Sequence, residues 1–224
     1  MDLLEQFDAY CERTDFSFWS EPVNAITNFA FIIAAFGAWQ FGKGKPAMTG
    51  LAPFMVVLVA VIGTGSFLFH TYATAWASLA DVIPIAIYIF VFFGLAMRRM
   101  VGHTILMSVI LTIVFFAVSV VIIRLSAPYV GSSAGYVPAL LALFGVGWYL
   151  ITTSRIGGMT LQIAGVVFLF SLTARTLDEP FCENFPLGLH FIWHCLNAVV
   201  LYTTLRALLI SPPPGRTEDA KPTL

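Results

Sequence analysis

The chain has 224 residues, 59% of them hydrophobic and only 10% charged, with a formal net charge of -1. So much apolar side chain exceeds what a water-soluble core of this size can hide, which excludes a soluble globular domain. With the net charge near zero, nothing in the composition calls for a nucleic-acid partner.

Apolar stretches of about 20 residues match the roughly 30 Å of hydrocarbon in a bilayer. They are unbroken rather than alternating, so they read as helices and not as barrel strands. In chain order the expected spans are 22–42, 51–70, 77–97, 104–124, 134–154, 157–177 and 187–210. Gly42-Lys43-Gly44-Lys45-Pro46, Arg98-Arg99, Ser126-Ala127-Pro128, Arg155-Ile156-Gly157-Gly158 and Asp178-Glu179-Pro180 punctuate them. The predicted fold is therefore all-α: a seven-helix transmembrane bundle forming one catalytic domain over 22–210. An acidic segment, 1–21, precedes it and shows no early apolar core of a signal peptide. The tail 211–224, opening Ser211-Pro212-Pro213-Pro214, reads as disordered.

Seven spans place the termini on opposite faces. The C-terminal face then holds Lys43, Lys45, Arg98, Arg99, Arg155, Arg206, Arg216 and Lys221, against Arg13, Arg124 and Arg175 on the other. Eight basic residues against three make the C-terminal face cytoplasmic and put the N-terminus outside. Most acids, from Asp2 to Glu21 and again at Asp81, Asp178, Glu179 and Glu183, fall on the N-terminal face. Cys11 and Cys182 share that face, where oxidising conditions allow a disulfide, and they are expected to pair; two free buried thiols are the alternative. Cys195, within the last span, reads as a small apolar residue. Short loops fit a bacterial inner membrane, with an organelle membrane as the alternative.

Ionisable groups inside a bilayer are costly, so each is a functional hypothesis. The second span ends on Ser66 and His70, the third begins near Asp81, and the seventh opens with His190 and His194, all at one membrane depth. Residues four apart stack on one helix face, so His190 and His194 can share a metal, and Ser66 lies one turn below His70. A third histidine from another helix leaves the fourth tetrahedral position open for water, as in a catalytic zinc site. Asp81 reads as a base for that water, a partner orienting a ligand histidine, or a cap of the third span. Ser66 has the alternative of bonding back to its own helix. His103, on the opposite face, does not join them. Arg175 and Asp178, three apart, are expected to be structural, pairing with each other or with the N-terminal acids. The acidic N-terminal segment suits a hard cation such as calcium or, alternatively, is a solvated loop.

These motifs carry a resemblance. Cys11-Glu12 before the first span, Asn24-x-x-x-Asn28 within it, Gly63-x-x-Ser66-x-x-x-His70, Asp81 eleven residues on, and His190-x-x-x-His194 together resemble the alkaline ceramidase family from about Tyr10 to Tyr202. That family belongs to a group of seven-helix hydrolases that includes the progestin and adipoQ receptors. The resemblance implies a zinc-dependent amidohydrolase that splits ceramide, a membrane lipid, with water into a sphingoid base and a fatty acid. It implies His70, His190 and His194 as zinc ligands, Asp81 acting on the zinc-bound water and Ser66 on the developing oxyanion. It further implies calcium at the N-terminal segment, with Glu12, Glu21 and the Tyr10 carbonyl as ligands. Ala9 and Thr14 depart from the family's acidic and Asn residues, with Asp8 and Asp15 as neighbouring substitutes. A disulfide from this segment to a loop on the same face is implied as well, in keeping with Cys11 and Cys182.

The alternatives are hydrolysis of another lipid ester or amide, and a seven-helix receptor or lipid sensor with a structural zinc. A retinal protein is excluded because Lys43, Lys45 and Lys221 all lie outside the spans. A transporter is disfavoured by the absence of an internal repeat or a pair of broken helices.

Overall fold

A computed structural model describes residues 2–211, so the tail expected beyond Ser211 lies outside the described residues. Its regular structure is helical. Helices α1 (Pro22–Thr27) and α2 (Phe29–Gly42) make up the first apolar run, with Pro22 at the start, where its missing N–H costs nothing. Then come α3 (Ala52–Tyr72) and α4 (Ala75–Leu95), the latter running into one wide turn, Ala96–Met100. They are followed by α5 (Ile105–Val130), α6 (Val137–Thr152), α7 (Gly158–Phe181) and α8 (His190–Ile210).

Among the described residues, six helical runs are long and apolar enough to cross a membrane. The hydropathy pattern predicts seven, and the difference lies at one place. The expected fourth and fifth spans form a single 48-residue run, Ile105–Thr152, in which α5 and α6 are linked by a tight helical segment, Gly131–Tyr136. The Ser126-Ala127-Pro128 punctuation does not stop α5, because Pro128 falls in its last turns and removes only one hydrogen bond. Reversal waits for Gly131, whose φ of 52° suits glycine. Helices α5 and α6 then pack against each other. Likewise α7 continues through Asp178-Glu179-Pro180 to Phe181.

Burial sorts the helices. In α8, 61% of the apolar window is buried, and in α3 56%, against 11% in Ile105–Thr152. Helices α3 and α8 are therefore the centre of the bundle. Helix α5 presents Ile105, Leu106, Ile113 and Leu125 outward, an apolar surface suited to lipid rather than water. Within the bundle, Phe31, Met55, Ile62, Leu161, Leu205 and Leu208 form the fully buried core.

Helix association in lipid relies on close packing at small residues. Gly65 of α3 shows this: a Cβ built there would fall 2.0 Å from the backbone oxygen of Ala80 in α4. Only glycine allows that approach, which brings Ser66 and Asp81 together across the two helices. Residues before α1 cross the same end of the bundle. The Phe7 N–H donates to the Ala73 carbonyl (2.8 Å) and the Ala75 N–H to the Glu5 carbonyl (2.9 Å), pinning the N-terminal segment over the turn between α3 and α4.

Candidate active site

Helix α3 brings His70 to this covered end two residues before it stops, and α8 opens there with His190 and His194. The three rings converge, with centroids 5.1 Å (His70–His190), 4.7 Å (His70–His194) and 4.6 Å (His190–His194) apart. One ligand atom from each lies within 4.8 Å of the others, and among the described residues this is the one such group. All three side chains are almost completely buried. His103 is not among them.

Hydrogen bonding explains which ring nitrogens are free. His70 Nδ1 lies 2.6 Å from Glu21 Oε2. Glu21, ionised, only accepts, so Nδ1 carries the proton and Nε2 is left with a lone pair. Thr27 Oγ1 lies 3.0 Å from His194 Nδ1 and also donates to the Val23 carbonyl at 2.8 Å. Its one proton is thereby used, so Thr27 accepts from His194 Nδ1–H and again leaves Nε2 free. Accordingly His70 Nε2 and His194 Nε2 are buried without partners, as is His190 Nδ1. Buried polar atoms are nearly always satisfied, and three converging imidazoles, each with an orphaned ring nitrogen, fit a metal ion with an N₃ ligand set.

The partners behind the ligands are equally ordered. Burial pushes the Glu21 carboxyl up, but His70, Arg13 and Asn24 together hold it below the usual carboxylate range. The Arg13 Nε–H donates to Glu21 Oε1 at 2.5 Å, and Asn24 Nδ2 donates to Oε2 at 3.1 Å. Asn28 Nδ2 in turn donates to the Asn24 carbonyl. Asp178 Oδ1 accepts from the backbone N–H groups of Leu189 (2.6 Å) and His190 (2.8 Å), capping α8 where its first ligand stands. Gly188 makes this possible, since its φ is +67° and a Cβ would meet Asp178 Oδ1 at 2.2 Å. Tyr10 stacks on His190 with centroids 3.6 Å apart.

Asp81 sits beside the histidines in α4, next to Ser66, and its Oδ1 is buried without a partner. Ser66 is buried, with its side chain against Asp81. Cys11 and Cys182 are joined in a disulfide, their Cα atoms 5.1 Å apart, tying the N-terminal segment to the end of α7. Cys195 is free and exposed on the outside of the bundle. Arg175 and Asp178 do not pair: Arg175 donates to the hydroxyls of Ser132 (2.9 Å) and Ser133 (3.0 Å) and lies over the rings of Tyr136 and Trp193.

The acidic residues expected to bind calcium are spread differently. Glu12 accepts from the N–H groups of Val23 and Asn24, both at 2.7 Å, and so caps α1. Asp15 Oδ1 accepts from the Ser17 amide (2.8 Å) and hydroxyl (2.6 Å). The Tyr10 carbonyl accepts from the Arg13 N–H at 3.2 Å. Asp8 lines a surface groove with Glu179. Sequence reasoning missed Glu21 as the partner of His70, Thr27 as that of His194, and Asp178 as the cap of α8. An acid immediately before Pro22, at a helix start, was the available signal for Glu21; nothing in the sequence pointed to Thr27.

Apolar helices of membrane length around a buried group of three histidines able to hold a metal define a helical membrane protein with a metal-site candidate at its core. The chain belongs to the ceramidase family, which it matches over residues 9–212. That family implies a hydrolase acting on an amide, with ceramide as the lipid substrate and water as the second reactant. No curated protein matches the chain.

Proposed function

We propose that this protein is a zinc-dependent intramembrane ceramidase whose metal is held by His70, His190 and His194. The observation that carries the reading is the convergence of three buried histidines, each with an unpartnered ring nitrogen. An all-histidine donor set suits zinc, which, when bound, supplies a Lewis acid and a water of lowered pKa.

The chain's own residues account for the rest. Glu21 and Thr27 fix the tautomers of His70 and His194, so both present Nε2. Asp81, with a free buried oxygen, takes the proton from the attacking water and passes it to the leaving amine. Ser66, beside it, donates to the amide oxygen as charge develops there. Water adds to the amide carbon, the C–N bond breaks, and the products are a free fatty acid and a sphingoid amine.

A cavity lined by Ile62, Tyr88, Phe92, Leu143, Asn197 and Leu201 suits a lipid chain. Asn197 stands three residues beyond His194 on α8, so the cavity starts one helical turn below the histidines. Counting α5 and α6 as separate crossings gives seven, with the termini on opposite faces. The basic-residue asymmetry then places the site near the non-cytoplasmic face.

The test is fatty-acid release from labelled ceramide by the purified protein, beside His194→Ala and a metal-stripped sample. Release is expected from the native protein and background from both controls. Zinc binding without release from any ceramide would sink the reading, and release from a glycerolipid ester instead would transfer it to another lipid bond.

A further inference from the structure

Among the described residues Arg13 is the one buried cation outside the helices, and its side-chain hydrogen-bond partners are all oxygen acceptors. It is 5% exposed. Its Nε–H donates to Glu21 Oε1 (2.5 Å), Nη1 to the Asp15 carbonyl (3.0 Å) and Nη2 to the His70 carbonyl (2.9 Å). One carboxylate and two backbone carbonyls are the donor types that a calcium ion gathers. Here a guanidinium fills the space among them, its planar fork reaching all three at once.

The carboxylates of Glu12, Glu21 and Asp15, expected to hold calcium, are engaged with other partners. Both oxygens of Glu12 are used on the start of α1, those of Glu21 on Arg13, His70 and Asn24, and Asp15 Oδ1 on Ser17. A divalent cation entering among Glu21, Asp15 and His70 would meet the positive charge of Arg13 within van der Waals distance, at a repulsion several times RT even in a medium of intermediate dielectric.

We infer that Arg13 is a built-in replacement for a divalent cation: a positioning residue that ties the N-terminal segment to the end of α3 and holds Glu21 on His70, so that this chain works without calcium. The arrangement gains twice from one charge. The His70 carbonyl is among the last four of α3, which lack partners within the helix and favour a cation nearby. Glu21, anchored on one oxygen by Arg13, presents the other to His70 Nδ1. Its orientation of the ligand ring is thereby set by a side chain rather than by an ion that can leave.

Calcium binding and thermal unfolding of the purified protein in detergent test this, beside Arg13→Ala and Arg13→Lys, with zinc affinity read by competition with a chelator. The native protein is expected to show no calcium-binding heat and the same Tm in a calcium chelator and in about 1 mM calcium, a concentration that fills even weak extracellular sites. Arg13→Ala is expected to bind zinc about 10-fold to 100-fold more weakly, as when a partner of a ligand histidine is lost. Guanidinium ion or calcium, entering the vacated space, should restore that affinity and raise Tm; a general structural defect would respond to neither. Should Arg13→Ala fail to accumulate, Arg13→Lys serves: one ammonium cannot span three acceptors, so its zinc affinity should fall at least about fivefold, within the range for such partners. Calcium binding or a calcium-dependent Tm in the native protein overturns the inference, as does native zinc affinity in the lysine variant or an alanine variant that neither guanidinium nor calcium rescues. The calcium arm stands apart from the zinc reading; if the native protein binds no zinc, it is the proposed function that has failed.

Discussion

The histidine centre and the acidic N-terminal segment lie against each other and share Glu21, yet they treat buried polar atoms in opposite ways. In the centre, His70 Nε2, His190 Nδ1 and His194 Nε2 have no partner inside the protein. In the segment, the buried charges are matched: Glu21 with Arg13 and His70, Glu12 with the start of α1. Clustered ligand-type residues are thus not enough to mark a cation site. What distinguishes the histidine centre is unsatisfied valence on three ligand side chains that converge where water is excluded, whereas isolated orphans such as Asn28 Oδ1 and Thr74 Oγ1 have no such neighbours.

That contrast can be broken from the side of the chemistry. Asp81→Asn keeps the shape of the carboxyl but cannot accept the water's proton. It should lower kcat by about 10²-fold to 10⁴-fold, the range for a positioned base, with zinc content unchanged. Equal losses of zinc and activity would instead make Asp81 a support for the ligands.

Glu21→Gln probes the shared residue. It turns one of the two carboxylate oxygens into an NH2 donor, so either His70 Nδ1 or Arg13 Nε loses its acceptor, and it removes the charge opposite buried Arg13, for which about 3–5 kcal/mol of destabilisation is typical. A lower Tm together with zinc binding about 10-fold to 100-fold weaker is expected. A fall in Tm alone would separate the two regions that Glu21 is argued to join.

The acidic segment itself should respond least. Glu12→Gln loses charge at the start of α1 while keeping an acceptor, a change of about 1 kcal/mol, read as a modest drop in Tm with zinc affinity intact. Asp8→Asn, on an exposed groove, should stay within about 0.5 kcal/mol of the native protein in calcium or in chelator alike.

Much of the site was legible before any coordinates. His190 and His194 stand four apart, and α8 does place them on one face, while the hydropathy pattern set His70 at the same depth. Cys11 and Cys182 could be assigned to one side of the bundle for the same reason. The helix count was less legible, because Pro128 looked like a break but falls where α5 tolerates it, and the turn is made by Gly131 a few residues later. Arg175 and Asp178 invited pairing by their spacing, yet they face different elements, one the Ser132–Ser133 turn and the other the start of α8.

By itself the sequence determined that this chain is a bundle of apolar helices, and that its few ionisable residues gather at one end. Both follow from the cost of polar groups in hydrocarbon, which acts on each segment locally and so can be read from composition and spacing. Only the tertiary structure decided which side chains stand behind the ligands. Glu21 is 49 residues from His70, and Thr27 is 167 from His194. Those pairings depend on how helices cross, on a glycine that lets α3 touch α4, and on a disulfide that pins the N-terminal segment in place. No periodicity along one helix encodes a hydrogen bond to another; it exists only once packing has brought the two within 3 Å.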